Sequence, residues 1–209
     1  MQVLKFGGSS VANTENIKKV MAVVQQKAVA GKTIVVVSAL GGITDLLLHC
    51  SEMAAAGDEA YRQQLQDAEQ RHLSAVKELL PVAQQSAVLS FVKTQCNEIE
   101  DICNGIFLLR ELSARSKDRI LSYGELLSSK IISAAFNAAG ISNSWMGSRN
   151  LIITNSNFGN AQVDFISSNN KINYYLQANP ANLYIAPGFI ASNAHNIATT
   201  LGRGGSDYT

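Results

Sequence analysis

The period of apolar positions changes along the chain, and each change marks an element. Gln2 to Phe6 reads as a short strand, and Ile17, Val20, Met21 and Val24 then recur at three- and four-residue steps. That spacing predicts a helix capped by Asn13 or Thr14, running to about Ala30 and ended by Gly31. Thr33-Ile34-Val35-Val36-Val37 follows as a continuous β-branched run, the pattern of a central parallel strand covered on both faces. A strand, a helix and a parallel strand make a right-handed crossover, so the fold class is α/β. Ser38-Ala39-Leu40-Gly41-Gly42 closes this strand and Ile43-Thr44-Asp45 opens another helix. Open α/β sheets place ligands at such carboxyl ends.

From about 58 to 140 the strand pattern vanishes. Val88, Val92, Cys96, Ile99, Cys103 and Ile106 step by three or four, and Pro81 separates two helices. This block reads as a helical hairpin plus a further helix, Ser122 to Ala139, packed beside the sheet. Beyond Gly140 asparagine becomes frequent and short apolar runs alternate with turns: Leu151-Ile152-Ile153, Ala161-Gln162-Val163 and Leu183-Tyr184-Ile185-Ala186. Ile172 to Gln177 is a short helix, and Leu183 to Ala186 a third central strand closed by Pro187-Gly188. Phe189-Ile190-Ala191 and Ile197-Ala198-Thr199-Thr200 form a hairpin leading to the last glycine turn. Residues 1–209 are read as one domain with a helical insert.

Apolar residues make up 46% of the 209, enough for a sizeable core. The net charge of +1 shows no basic stripe, which argues against nucleic acid as a partner. No apolar run approaches the ~20 residues of a membrane span, and the chain opens on a strand rather than a basic leader. Cys50, Cys96 and Cys103 fit no metal-ligand spacing and read as reduced and buried. The expected location is cytoplasmic.

Candidate chemistry sits in two glycine turns at opposite ends of the chain. Lys5-Phe6-Gly7-Gly8-Ser9-Ser10 follows the first strand, and Gly202-Arg203-Gly204-Gly205-Ser206-Asp207 comes almost last. Glycine lets backbone N–H groups converge on phosphate oxygens, and a lysine, an arginine and an aspartate beside them fit a phosphoryl-transfer site. The chain stops two residues past Asp207, where a helix starting near Ser206 has no room to form, so the protein is expected to continue.

These turns, with Ser38-Ala39-Leu40-Gly41-Gly42-Ile43-Thr44, Gly124-Glu125, Phe158-Gly159 with Asp164, and Pro187-Gly188-Phe189, resemble aspartokinases of the amino-acid kinase superfamily, in order along the whole chain. The helical insert resembles the version fused to homoserine dehydrogenase. The resemblance implies a three-layer α/β/α sandwich with a largely parallel sheet, lacking its C-terminal nucleotide-binding part. It implies transfer of the ATP γ-phosphate, with Mg2+, to the β-carboxylate of L-aspartate, early in lysine, threonine and methionine synthesis, by a homo-oligomer when full-length. Lys5, with Gly7, Gly8 and Ser9, would meet the phosphates. Ser38, Ala39 and Thr44 would line the aspartate site, Glu125 would bind the α-ammonium and Arg203 the α-carboxylate. Phe189 and Ser206 would border the substrate, and Asp207 would organise the catalytic centre. Gly147 stands where an acidic residue commonly precedes the arginine matching Arg149, and no role is carried there.

The chemistry suits these residue types. A carboxylate acceptor is ionised at pH 7 and needs no general base. The barrier is the approach of two anions, so catalysis rests on alignment and charge neutralisation. Local sequence alone offers blander readings. Ser122-Tyr123-Gly124-Glu125 fits a capping box, Thr44 or Asp45 a helix cap, Lys5 a strand end in solvent and Arg203 a surface residue in a turn. His49, His72 and His195 read as exposed or structural. The rival functions are a related kinase with glutamate, carbamate or a nucleotide as acceptor, and a non-catalytic ligand-binding fragment. The central expectation is geometric: the two ends of the chain meet, so that Lys5 and Arg203 frame one cleft.

Overall fold

The computed structural model describes residues 1–28 and 31–202. In chain order the elements are β1 (Gln2–Phe6), α1 (Thr14–Lys27), β2 (Thr33–Val37), α2 (Ile43–Ala56), α3 (Tyr61–Leu79), α4 (Ser86–Leu109) and α5 (Ala114–Ala138). Then come β3 (Ser144–Trp145), α6 (Ser148–Leu151), β4 (Ile153–Thr154), α7 (Phe165–Ala178), β5 (Leu183–Pro187), β6 (Ile190–Asn193) and β7 (Ala198–Thr200). The main sheet has the order β1-β2-β5-β3, and all of its pairings are parallel. A smaller sheet, β4-β6-β7, carries the expected hairpin as its antiparallel pair.

The β-branched run Thr33–Val37 is indeed an inner strand, buried at every position. Successive side chains of a strand point to opposite faces, and this one has two cores. Val35 and Val37, with Ile185, join the large core that includes Ile17, Val20 and Val24 of α1 and much of α2 to α5. Ile34 and Val36, with Tyr184 and Ala186, face a smaller core where Ile172, Tyr175 and Leu176 of α7 pack. The architecture is α/β/α with one thick helical layer.

Three predicted elements differ in extent. The helix expected from Ser122 starts at Ala114, where the Ser113 side chain accepts the Ser116 N–H at 3.1 Å and supplies the cap. Ser122 through Glu125 therefore lies mid-helix, and the Ser122 hydroxyl donates to Arg119 O at 2.7 Å instead of capping anything. The capping-box reading is overturned because the box matches in spacing while an earlier serine sits at the real terminus. The short helix expected from Ile172 begins at Phe165, capped by Asp164, whose carboxylate accepts the Ser167 N–H at 3.0 Å and is held below the usual carboxylate range by Ser167. The run Leu151-Ile152-Ile153 is split, Leu151 ending α6 and Ile153 starting β4. Pro81 falls where expected, opening a short 3-10 turn between α3 and α4.

Candidate active site

Strand register fixes which loops meet. Phe6 lies opposite Val37, and Val37 opposite Pro187, so β1, β2 and β5 end level with one another. Hydrogen bonds continue past the strand ends, from Ser38 N to Phe6 O (3.1 Å) and from Gly188 N to Val37 O (2.9 Å). The loops Gly7–Ser10, Ser38–Gly42 and Gly188–Phe189 thus lie side by side at the carboxyl edge of the sheet, where such sheets take ligands.

The first glycine turn closes through Ser10 N to Gly7 O (2.9 Å) and is tied to α1 by Asn16 Nδ2 donating to Ser9 O (2.9 Å). A side chain at Gly7 would meet open space, and one at Gly8 would come within 3.8 Å of Ser38 Oγ. The turn is therefore an open cradle resting against the second loop. Gly41 is needed for a different reason: a Cβ there would lie 2.8 Å from Ala12 Cβ, so the loops after β1 and β2 press together backbone to backbone. Lys5 sits one residue before the end of β1, exposed and paired in register with Val36.

Helix α5 supplies the floor. Gly124 approaches Ala39 so closely that an added Cβ would sit 3.0 Å from Ala39 Cβ and 3.7 Å from Thr44 Oγ1. That contact brings Glu125 beneath the Ser38–Thr44 loop, 3% exposed. Burial pushes its carboxyl up to about 7, while hydrogen bonds from the Ala39 N–H and the Ser38 side chain pull the other way. One carboxylate oxygen, Oε2, has no hydrogen-bond partner. Ser128, one turn on, anchors the loop by donating to Ser38 O at 2.7 Å. Thr44 lies within the first turn of α2, whose N-cap is Gly42 in the left-handed region with no side-chain cap. Neither Thr44 nor Asp45 is the helix cap that local sequence allowed.

Phe189 has φ of 64°, unusual for a bulky residue, and Ile190 N bonds Gly188 O across it at 2.7 Å. Its carbonyl accepts the Leu201 N–H at 3.0 Å, so the end of the hairpin returns beside it. Gly202 follows at once, also in the left-handed region, with Asn160 Oδ1 2.8 Å from where a Cβ would stand. Arg203, Ser206 and Asp207 lie outside the described residues, and so does the expectation that Lys5 and Arg203 frame one cleft.

The structure thus gathers Gly8, Ser38, Ala39, Thr44 and Glu125, with Phe189 on the adjoining loop. Sequence reading missed Ser128 and Asp118. Ser128 shares a helix face with Glu125, a signal available in the spacing. Asp118, 1% exposed, accepts from Gly159 N (2.9 Å), Thr200 N (2.9 Å) and Thr200 Oγ1 (2.8 Å). Among the described residues no group of three or more His, Cys, Asp or Glu could hold a metal ion, and no helix is long and apolar enough to cross a membrane.

The site thus combines glycine loops at the level ends of parallel strands with a buried carboxylate below them, one oxygen of which has no hydrogen-bond partner. The chain belongs to the amino acid kinase family, whose model matches residues 1–209. It is 32% identical to bifunctional aspartokinase/homoserine dehydrogenase 1, chloroplastic, of Arabidopsis thaliana, over 99% of this chain and 23% of that one. It is also 32% identical to the lysine-sensitive aspartokinase 3 of Escherichia coli, over 99% of this chain and 44% of that one. The crystal structure of E. coli aspartokinase III in complex with aspartate and ADP superposes with a TM-score of 0.88 at 28% identity, covering 100% of this chain and 45% of that one. The chain therefore spans less than half the length of each of these relatives.

Proposed function

We propose that the protein is an aspartokinase, phosphorylating the β-carboxylate of L-aspartate at the expense of ATP to give 4-phospho-L-aspartate. The observation that carries this reading is Glu125: a buried carboxylate with a free oxygen, under a loop of Ser38, Ala39 and Thr44. Such a group waits for a cation, and the α-ammonium of an amino acid supplies one. The similar E. coli enzyme holds aspartate and ADP in its crystal structure, which supports the same pair of ligands here.

The residues divide by charge. Glu125 neutralises the ammonium, and Arg203 offers a planar fork to the α-carboxylate. Ser38, Ala39, Thr44, Phe189 and Ser206 shape the space between them. Lys5 and the N–H groups of Gly7, Gly8 and Ser9 are assigned to the nucleotide phosphates, a role the open cradle at Gly7 fits. Bound MgATP would supply the transferable phosphoryl group, its Mg2+ offsetting phosphate charge. Asp207 orients Lys5 or that cation rather than accepting a proton. We also assign the protein to a reducing cytoplasm and to a homo-oligomer; Cys50, Cys96 and Cys103 are free thiols that burial pushes up to about 11, 12 and 12.

The test is calorimetric titration of the full-length protein with L-aspartate. Arg203→Ala is expected to weaken aspartate binding about tenfold or more, the worth of a charge-assisted pair, while MgATP binding stays close to wild type. Unchanged aspartate binding in that variant would remove Arg203 from the site.

A further inference from the structure

We infer that Asp118 is a positioning residue for the aspartate site, holding the chain that enters the second glycine turn at a fixed distance from Glu125. The inference rests on the aspartokinase reading and extends it to a residue with no assigned role. Asp118 and Glu125 lie on the same face of α5, roughly two turns apart. From the same helix, Glu125 reaches the loop after β2, and Asp118 reaches the end of β7 and the loop before α7.

Its contacts are specific to that task. Asp118 Oδ2 accepts two backbone N–H groups, from Gly159 (2.9 Å) and Thr200 (2.9 Å), and Oδ1 accepts the Thr200 hydroxyl (2.8 Å). The Gly159 carbonyl lies 3.3 Å from the Cβ position of Gly202, and Ala161 N donates to Thr200 O at 3.0 Å. One carboxylate therefore joins the loop around Gly159 to the residue two before Gly202, and the chain runs from there into Arg203. A buried carboxylate with three donors is a rigid peg, because each donor would be left unsatisfied without it. The contacts with Thr200 span 82 residues of sequence, so they set tertiary placement rather than local structure.

If α5 holds the α-carboxylate partner in place through Asp118, loss of Asp118 should harm only ligands that carry the α-carboxylate. Competitive binding separates these ends chemically. Succinate keeps both carboxylates of aspartate but lacks the ammonium, whereas β-alanine keeps the ammonium but lacks the α-carboxylate. In the full-length protein, Asp118→Ala is expected to weaken aspartate and succinate about tenfold or more and to leave β-alanine nearly unchanged. Asp118→Asn should recover part of the loss, since a flipped amide can still accept both N–H groups through its oxygen. Thr200→Val, which removes only the hydroxyl contact, should fall between Asp118→Asn and wild type.

Arg203→Ala is measured alongside. The inference stands if Asp118→Ala and Arg203→Ala share one pattern across the three ligands. It is overturned if Asp118→Ala shifts all three alike, or lowers only the melting temperature, while Arg203→Ala is selective. If Arg203→Ala is not selective, the assignment of Arg203 to the α-carboxylate fails and the inference with it. Should Asp118→Ala not fold, Asp118→Asn and Thr200→Val carry the same comparison.

Discussion

Replacing Lys5 by alanine is expected to lower turnover by about a hundred- to a thousandfold, the usual effect of deleting one preorganised charge at a developing anion. The loss should appear in kcat, with aspartate affinity nearly unchanged, because the role proposed for the ammonium is toward phosphate rather than the amino acid. The fold should survive. Lys5 is exposed, and β1 is held to β2 by backbone pairing from Gln2 to Phe6. A general base cannot substitute for it, since the acceptor carboxylate is already ionised at neutral pH. Steady-state kinetics beside a thermal melt checks this. Turnover within a few-fold of wild type in a folded variant would place the phosphates elsewhere.

The second large effect concerns Glu125 and pH. Its carboxyl is raised to about 7 by burial, so near neutrality roughly half of the free protein carries a proton there. An arriving ammonium favours the ionised form, and binding is therefore linked to proton release. Aspartate affinity is expected to fall as pH drops below 7, by up to about tenfold per unit. Glu125→Gln should flatten that dependence and weaken binding by roughly ten- to a hundredfold, the range for losing a charged hydrogen bond. Stability should move in the opposite sense. The folded state holds this proton more tightly than the unfolded state, whose ordinary value is 4.5, so folding stability declines as pH rises through 4.5 to 7 and stays reduced above. Glu125→Gln is therefore expected to melt higher than wild type at pH 8 and close to it at pH 5. A carboxylate that merely braced the helix would show the same change in stability without the pH-linked binding. Affinity that is flat from pH 6 to pH 8 would contradict the assignment.

Much of this arrangement was legible before any coordinates, and for identifiable reasons. The run Thr33–Val37 admits no polar face, so an inner strand covered on both sides was the only comfortable place for it. Gly31, Pro81 and the asparagine-rich turns punctuate the chain through backbone preferences that tertiary context leaves intact. The reading failed where two local explanations share one spacing. Ser122 and Glu125 match a helix start, yet Ser113 caps the helix a full two turns earlier. What distinguishes the two sites is the packing of Gly124 on Ala39, a contact between residues far apart in sequence and invisible to periodicity. Asp118 was hidden for the same reason. Its donors, Gly159 and Thr200, are 41 and 82 residues away, and no composition or spacing marks them as neighbours. Helix boundaries at Phe165 were underestimated because Phe165 and Ile166 are exposed and break the apolar stripe that periodicity follows.

For an aspartokinase, one cleft must accept an amino acid by both of its charged ends and phosphorylate the carboxylate left over. Incubating the full-length protein with MgATP, hydroxylamine and a candidate acceptor traps any acyl phosphate as a hydroxamate. Hydroxamate that forms with L-aspartate, and at most weakly with L-glutamate, is the predicted result. Equal or greater product with glutamate, or none with either acid from a folded protein that binds MgATP, would contradict it.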